Sequence, residues 1–250
     1  MIARDGDLIV ESDPRRPTGR LLLQADMEAS YVDLADASHL EFDYMRWIRI
    51  VLRAVRARRV LHVGGGACAL ARALAAEDPS GRQLVCEVDG RVLALARGHL
   101  GLRRAPGLRV RHDEGRACLE RQLQGSWDAV VIDAFVGALV PRQLITVEAM
   151  ALVARAAPLA LVNIVDDRSA RELRRVAAAL SGAYPQAWAL GGRTGNTVLV
   201  GCATPQDLEG VAARAAADPS PPTVVTPAQL ARRVAGTVAL RDAEVGVGVG

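Results

Sequence analysis

From Val60 to Asp89 the chain reads V-L-H-V-G-G-G-A-C-A-L-A-R-A-L-A-A-E-D-P-S-G-R-Q-L-V-C-E-V-D. Val60–Val63 is a short apolar run with β-branched residues, closed by Gly64-Gly65-Gly66, and predicts a buried strand running into a turn. Ala67–Ala76 is rich in alanine and leucine and predicts a helix. Leu84–Val88 is a second buried strand with Glu87 where it emerges. A strand that feeds a glycine turn into a helix lets backbone N–H groups approach a ligand closely. An acid at the tip of the next strand, roughly 20 residues on, can accept two hydrogen bonds from a ribose diol. The stretch therefore outlines a nucleoside site. The structural alternatives are a plain tight turn at the glycines and a helix cap at the acid.

The chain has 250 residues, half of them hydrophobic and only 3% aromatic, so its core must be built from Ala, Leu and Val. Its 31 basic residues are all arginine. Without lysine there is no Schiff-base, pyridoxal-phosphate or phosphate-loop lysine chemistry. A net charge of +3 spread along the chain gives no footprint for nucleic acid. Cys68, Cys86, Cys118 and Cys202 stand singly, outside C-x-x-C pairs and outside ligand spacing with histidine. They read as four core thiols, with neither a metal site nor a disulfide framework. Met1–Ser12 carries Arg4, Asp5, Asp7 and Glu11 and does not fit a secretory leader. The longest apolar region, Val147–Val165, is broken by Glu148, Arg155, Pro158 and Asn163 and does not fit a membrane span. A soluble, cytoplasmic protein is expected.

Upstream, Leu8-Ile9-Val10 and Leu21-Leu22-Leu23 predict short strands separated by proline and glycine turns. Asp36–Val55 predicts a helix with Ser38 as its cap and Glu41 three residues on. Downstream, helices are expected at Arg91–Leu100, Arg116–Gln124, Val147–Ala156 and Ser169–Leu180, the last capped by Ser169. Strands are expected at Leu108–Arg111, Ala129–Ile132 and Leu159–Val165, and a hairpin-like pair at Ala187–Leu190 and Thr197–Cys202 around Gly191-Gly192 and Gly195-Asn196. Thr226–Val238 predicts a last helix with Pro227 at its first position, before a glycine–valine tail expected to be disordered. Strict strand–helix alternation closed by a hairpin predicts an α/β fold with a mostly parallel sheet and an antiparallel edge.

In such a sheet ligands sit beyond the carboxyl ends of the strands. Those ends are Gly64–Gly66, Glu87, Asp113 with Glu114, and Asp133, followed by Asn163 and Asp166-Asp167. Asp113 or Glu114 can bond the exocyclic amine of an adenine; equally, one of them can cap the helix that follows.

Taken together, V-L-H-V-G-G-G at 60–66, C-E-V-D at 86–89, D-E-G-R-A-C-L at 113–119 and W-D-A-V-V-I-D at 127–133 resemble the polyamine aminopropyltransferases, the spermidine synthases. The resemblance extends from S-Y-V-D-L at 30–34 and H-L-E-F-D-Y at 39–44 to V-P-R-Q-L-I-T-V-E at 140–148 and G-N-T-V-L-V at 195–200. It implies the class I S-adenosylmethionine methyltransferase fold, Rossmann-like, preceded by a small β-rich domain. The segments would be a β-rich residues 1–36, a methyltransferase-like residues 37–204, and a C-terminal extension over residues 205–250 with one helix and a flexible tail.

The resemblance also implies roles. Gly64, Gly65 and Gly66 would lie under the nucleoside, Glu87 would hold the ribose, and Glu114, with Asp113 beside it, the adenine. Asp133 would be the base that deprotonates an attacking amine. The donor would be S-adenosylmethionine or its decarboxylated form, with no metal, and the partner a small-molecule amine or other acceptor. The β-rich domains of the family pair subunits, which implies a homodimer.

On the acceptor side the sequence departs from the family. Its glycine loop continues with an aspartate and a glycine where this chain has Ala67 and Cys68. The second aspartate of its D-S-S-D-P loop falls on Val136, an upstream glutamine falls on Ala29, and Y-H-E becomes Tyr44-Met45-Arg46. A dication needs carboxylates to offset desolvation of its ammonium groups, and Arg46 is expected to repel it. Three functions fit: aminopropyl transfer with a degenerate polyamine site, S-adenosylmethionine-dependent methyl transfer, or a catalytically inactive nucleoside-binding homologue.

Overall fold

The computed structural model describes residues 1–166, 169–191 and 195–246. Asp167, Gly192 and the glycine–valine tail from 247, all invoked above, lie outside them. The chain opens with four strands, β1 (Ala3–Asp5), β2 (Leu8–Ser12), β3 (Gly19–Gln24) and β4 (Met27–Asp33), which pair antiparallel in sequence order. Helix α1 (Asp43–Ala54) leads into β5 (Arg59–Val63), α2 (Ala69–Glu77), β6 (Arg82–Glu87), α3 (Gly90–His99), β7 (Leu108–His112) and α4 (Gly115–Glu120). There follow β8 (Ala129–Ile132), α5 (Val147–Ala156), β9 (Leu159–Asp166), α6 (Arg171–Ala183), β10 (Gln186–Gly191) and β11 (Gly195–Cys202). The C-terminal extension adds α7 (Leu208–Ala216), β12 (Thr223–Val225), α8 (Pro227–Val234) and α9 (Asp242–Val245).

The large sheet has the order β12-β10-β11-β9-β8-β5-β6-β7. Strands β7, β6, β5, β8 and β9 are parallel, and β11, β10 and β12 form an antiparallel edge. Strand order reverses between β5 and β8, which makes the gap beyond their carboxyl ends the topological switch point. Both strands are buried from Val60 to Val63 and from Ala129 to Ile132. That explains their unbroken apolar sequence, since helices cover both faces of a parallel sheet.

One face carries α1, α2 and α3, and its core takes in Leu8, Val10 and Leu22 of the small sheet. The four-stranded sheet is thus packed into the main body rather than tethered to it. The other face carries α4, α5, α6 and α8. Among the described residues no helix is long and apolar enough to cross a membrane.

Several local expectations are corrected. Helix α1 starts at Asp43, not near Asp36, because Asp33 accepts the amides of Ala35 and Asp36, and Asp36 accepts the amide and hydroxyl of Ser38. Local turns of this kind compete with helix, and they occupy the side chain read as the cap. Helix α6 starts at Arg171 behind Ala170, whose φ of 51° is left-handed. Among the described residues the C-terminal extension holds three helices and a strand of the main sheet where one helix was expected. As expected, Thr226 caps α8 with Pro227 at its first position.

The cysteines also differ: Cys86 and Cys118 are joined as a disulfide, while Cys68 and Cys202 are free and buried. Residues 32 apart in sequence meet because β6 and α4 are neighbours in space.

Candidate functional site

Gly64 follows β5 with a φ of +82°, and a Cβ built on it falls 2.3 Å from the Asp133 carbonyl oxygen. Only glycine lets the ends of β5 and β8 approach this closely. Gly64 N–H donates to the Cys86 carbonyl at 2.9 Å, and Asp133 N–H to Val63 at 2.9 Å, so three strand ends are tied by backbone at the switch point.

The amides of Gly65 and Gly66 both donate to Glu87 Oε2 at 3.0 Å, and Asp89 N–H donates to Oε1 at 3.0 Å. The expectation that these glycine amides are open to a ligand is therefore corrected. A successive pair of N–H groups makes a small anion nest, and Glu87 of the chain itself fills it. A pyrophosphate here would compete with a carboxylate that is already seated. Of the roughly four lone-pair positions of a carboxylate, one on Oε1 stays open for a hydroxyl.

Strand β4 closes the turn from above. Ser30 Oγ accepts the Ala67 amide at 3.1 Å, and Ala67 is fully buried. Where the resemblance calls for a carboxylate, this wall presents none. Cys68, the next departure, holds the left-handed conformation (φ 61°) that suits glycine, ahead of α2.

Glu114 is the cap of α4: Arg116 N–H donates to Oε1 at 2.9 Å and Ala117 N–H to Oε2 at 2.7 Å. The capping alternative thus falls on the residue assigned to the adenine, while Asp113 pairs with Arg121.

Asp133 sits half-buried beyond β8. Asn163 Nδ2 donates to its Oδ1 at 2.9 Å and the Tyr44 hydroxyl to its Oδ2 at 3.1 Å. Burial pushes its carboxyl above the ordinary range; the two donors pull the other way, and the nearby Glu87 charge adds to the rise. Burial and the facing Asp133 charge hold the Tyr44 hydroxyl protonated, as a donor. Asn163 is fully buried, and among the described residues its Oδ1 has no hydrogen-bond partner.

Tyr44 and Ser30 were legible only as members of the H-L-E-F-D-Y and S-Y-V-D-L stretches that carry the resemblance, with no role assigned to either. The apolar body and polar tip of a tyrosine suit it to a buried polar site at a helix end. Arg46 does not face a ligand: Asp218 takes its guanidinium in a bidentate pair, and Leu40 and Glu41 carbonyls accept from the rest. The expectation that it repels a cation is corrected, because it clamps the C-terminal extension onto α1. A depression of about 440 Å³ between Arg82, Gly107 and Arg109 opens at the amino ends of β6 and β7, away from this rim.

Compared with solved structures, the chain is similar to a probable spermidine synthase from Corynebacterium glutamicum ATCC 13032, at 26% identity over 97% of this chain and 94% of that one, with a TM-score of 0.85. The chain is thus similar to spermidine synthases in its class I methyltransferase fold. It also matches a spermidine synthase in complex with the transition-state analogue AdoDATO. There the identity is 15% over 96% of this chain and 85% of that one, with a TM-score of 0.65. Human methyltransferase-like protein 13 in complex with SAH shares the fold at 15% identity over 81% and 93% of the two chains, with a TM-score of 0.52. No protein-family model and no curated protein matches the sequence.

Proposed function

We propose that the chain binds a sulfonium nucleoside of the S-adenosylmethionine type and transfers an alkyl group from its sulfur, the aminopropyl group of the decarboxylated donor, to an amine. One observation carries this reading. In a chain with 31 arginines, Glu87 and Asp133 stand at the ends of β6 and β8, on either side of the β5 glycine turn, and neither forms an ion pair among the described residues. Glu87 is only 8% exposed. Buried carboxylates without a cation are costly, and a cationic ligand between them offsets that cost. The filled nest at Gly65 and Gly66 argues in the same direction, against a phosphate-bearing dinucleotide.

When bound, the sulfonium supplies an electrophilic carbon. Gly64–Gly66 form the floor, and Oε1 of Glu87 has room for a ribose hydroxyl. Glu114 keeps the lone pairs that its helix amides leave for an adenine amine. Asp133, raised by burial and steered by Tyr44 and Asn163, takes the proton of the attacking nitrogen. Most of the acceleration comes from holding the two reactants in line, with proton removal a smaller contribution.

Methyl transfer in the same cleft is the second reading. It is favoured by the loop after Asp133, Ala134–Leu144, which holds no carboxylate and exposes Val136 and Leu139. A second ammonium group of a diamine would find no partner there. The test incubates the protein with decarboxylated S-adenosylmethionine and putrescine, and separately with S-adenosylmethionine and amines, and follows the nucleoside product by mass spectrometry. Methylthioadenosine in the first mixture, lost in Asp133→Asn, supports aminopropyl transfer. S-adenosylhomocysteine in the second alone selects methyl transfer. Neither product from folded protein overturns both.

A further inference from the structure

The elements that carry Glu87 and Glu114 are joined by a disulfide between Cys86 and Cys118. Cys86 immediately precedes Glu87 in β6, and its own carbonyl accepts the Gly64 amide at 2.9 Å. Cys118 lies in α4, the helix that Glu114 caps. Their Cα atoms are 6.7 Å apart, within the range a disulfide spans, and both side chains are buried, at 1% and 0% exposure.

Helix α4 has six residues, and a helix that short is not stable on its own. Its position depends on Cys118 and Leu119 in the core, on Arg116 paired with Asp242 of α9, and on the bond to Cys86. The disulfide is therefore a strut between the strand that presents Glu87 and the helix that presents Glu114.

We infer that Cys86 and Cys118 are a reversible oxidation site, and that their redox state sets how firmly the rim holds its nucleoside. The coupling rests on the nucleoside reading above; the lock itself does not. With a hydroperoxide as oxidant, one thiolate attacks the peroxide oxygen, releasing the alcohol and leaving a sulfenic acid. The second thiol displaces water from it. Two thiols and one hydroperoxide thus give one disulfide, one alcohol and one water, the sulfurs losing two electrons and the O–O bond taking them. Both sulfurs are buried, so exchange in either direction proceeds through an opening of α4 rather than from the closed state. In the oxidised form Glu87 and Glu114 are held at a fixed spacing before the ligand arrives, which lowers the ordering cost of binding.

Three readouts test this on the full-length protein. Alkylation of protein purified without reductant, denatured and weighed intact, is expected to label two cysteines, Cys68 and Cys202. Methylthioadenosine, titrated by calorimetry, is expected to bind about 3- to 10-fold more weakly after dithiothreitol reduction and in Cys118→Ser, the scale expected for lost preorganisation. Amide exchange over residues 115–120 is expected to quicken in the same two samples. Four labelled cysteines overturn the lock, whether the thiols are free or hold a metal with Asp113, whose ligand atom lies within 4.8 Å of both sulfurs. Equal affinity in oxidised and reduced protein overturns the coupling. If methylthioadenosine binds in neither state, the nucleoside reading fails, and the lock is then decided by labelling and exchange: unchanged exchange on reduction overturns it.

Discussion

The two halves of the cleft are built differently. The proposed donor half, from Gly64 to Glu87, is fixed by backbone. It holds a left-handed glycine against the Asp133 carbonyl, and its two loop amides are spent on one carboxylate. In the proposed acceptor half the Asp133 backbone is tied to β5, but its carboxylate is held by side chains alone, a tyrosine from α1 and an asparagine from β9. Backbone geometry tolerates few residue types. Side chains that meet a ligand are exchanged without disturbing the fold, so a chain can change its acceptor while keeping its donor site. The acid-free loop after Asp133 lies on the exchangeable side.

The largest effect expected from this contrast is on stability. Gly64→Ala puts a Cβ against backbone at a positive φ and should cost about 3 kcal/mol or more by urea denaturation. Val136→Ala, at a side chain 74% exposed in the acceptor loop, should stay within about 0.5 kcal/mol. Equal costs would erase the distinction between the halves. Next, Asp133→Asn should lower the transfer rate about 10²- to 10⁴-fold, the usual worth of a positioned base, while methylthioadenosine affinity is kept. A matching loss of affinity would place Asp133 in the donor half.

The smallest effect is a displaced pH profile. In the proposed role Asp133 acts as a base only when ionised, and burial already moves its titration upward. The Tyr44 hydroxyl stabilises the ionised form, so Tyr44→Phe raises the pKa further and moves the acid limb of the rate profile to higher pH. A shift to lower pH, or none, would remove Tyr44 from the proton path.

Strand ends were the most legible feature of the sequence. Gly64–Gly66, Glu87 and Asp133 follow buried apolar runs, and the alternation that names those runs also places their ends on one rim. What each end touches was hidden, because spacing reports position and not partner. Glu87 was readable as a rim acid, but its seat on the loop amides was not. Tyr44 and Asp133 are 89 residues apart, and Arg46 and Asp218 are 172 apart. No local pattern announces such pairs. Helix α7 was missed because it buries only Val211 and Ala215, too thin a stripe to show periodicity. Strand β12 has three residues, fewer than an alternation needs.

The central claim is that the donor half still holds a sulfonium nucleoside through Glu87. Calorimetric titration of the folded protein with methylthioadenosine, S-adenosylmethionine and decarboxylated S-adenosylmethionine, repeated on Glu87→Gln, tests it most directly. Binding to the unmodified chain is expected, weakened about 10- to 100-fold in the variant, the worth of a hydrogen bond to a charged group. No binding of any of the three, or binding that Glu87→Gln leaves unchanged, would contradict it.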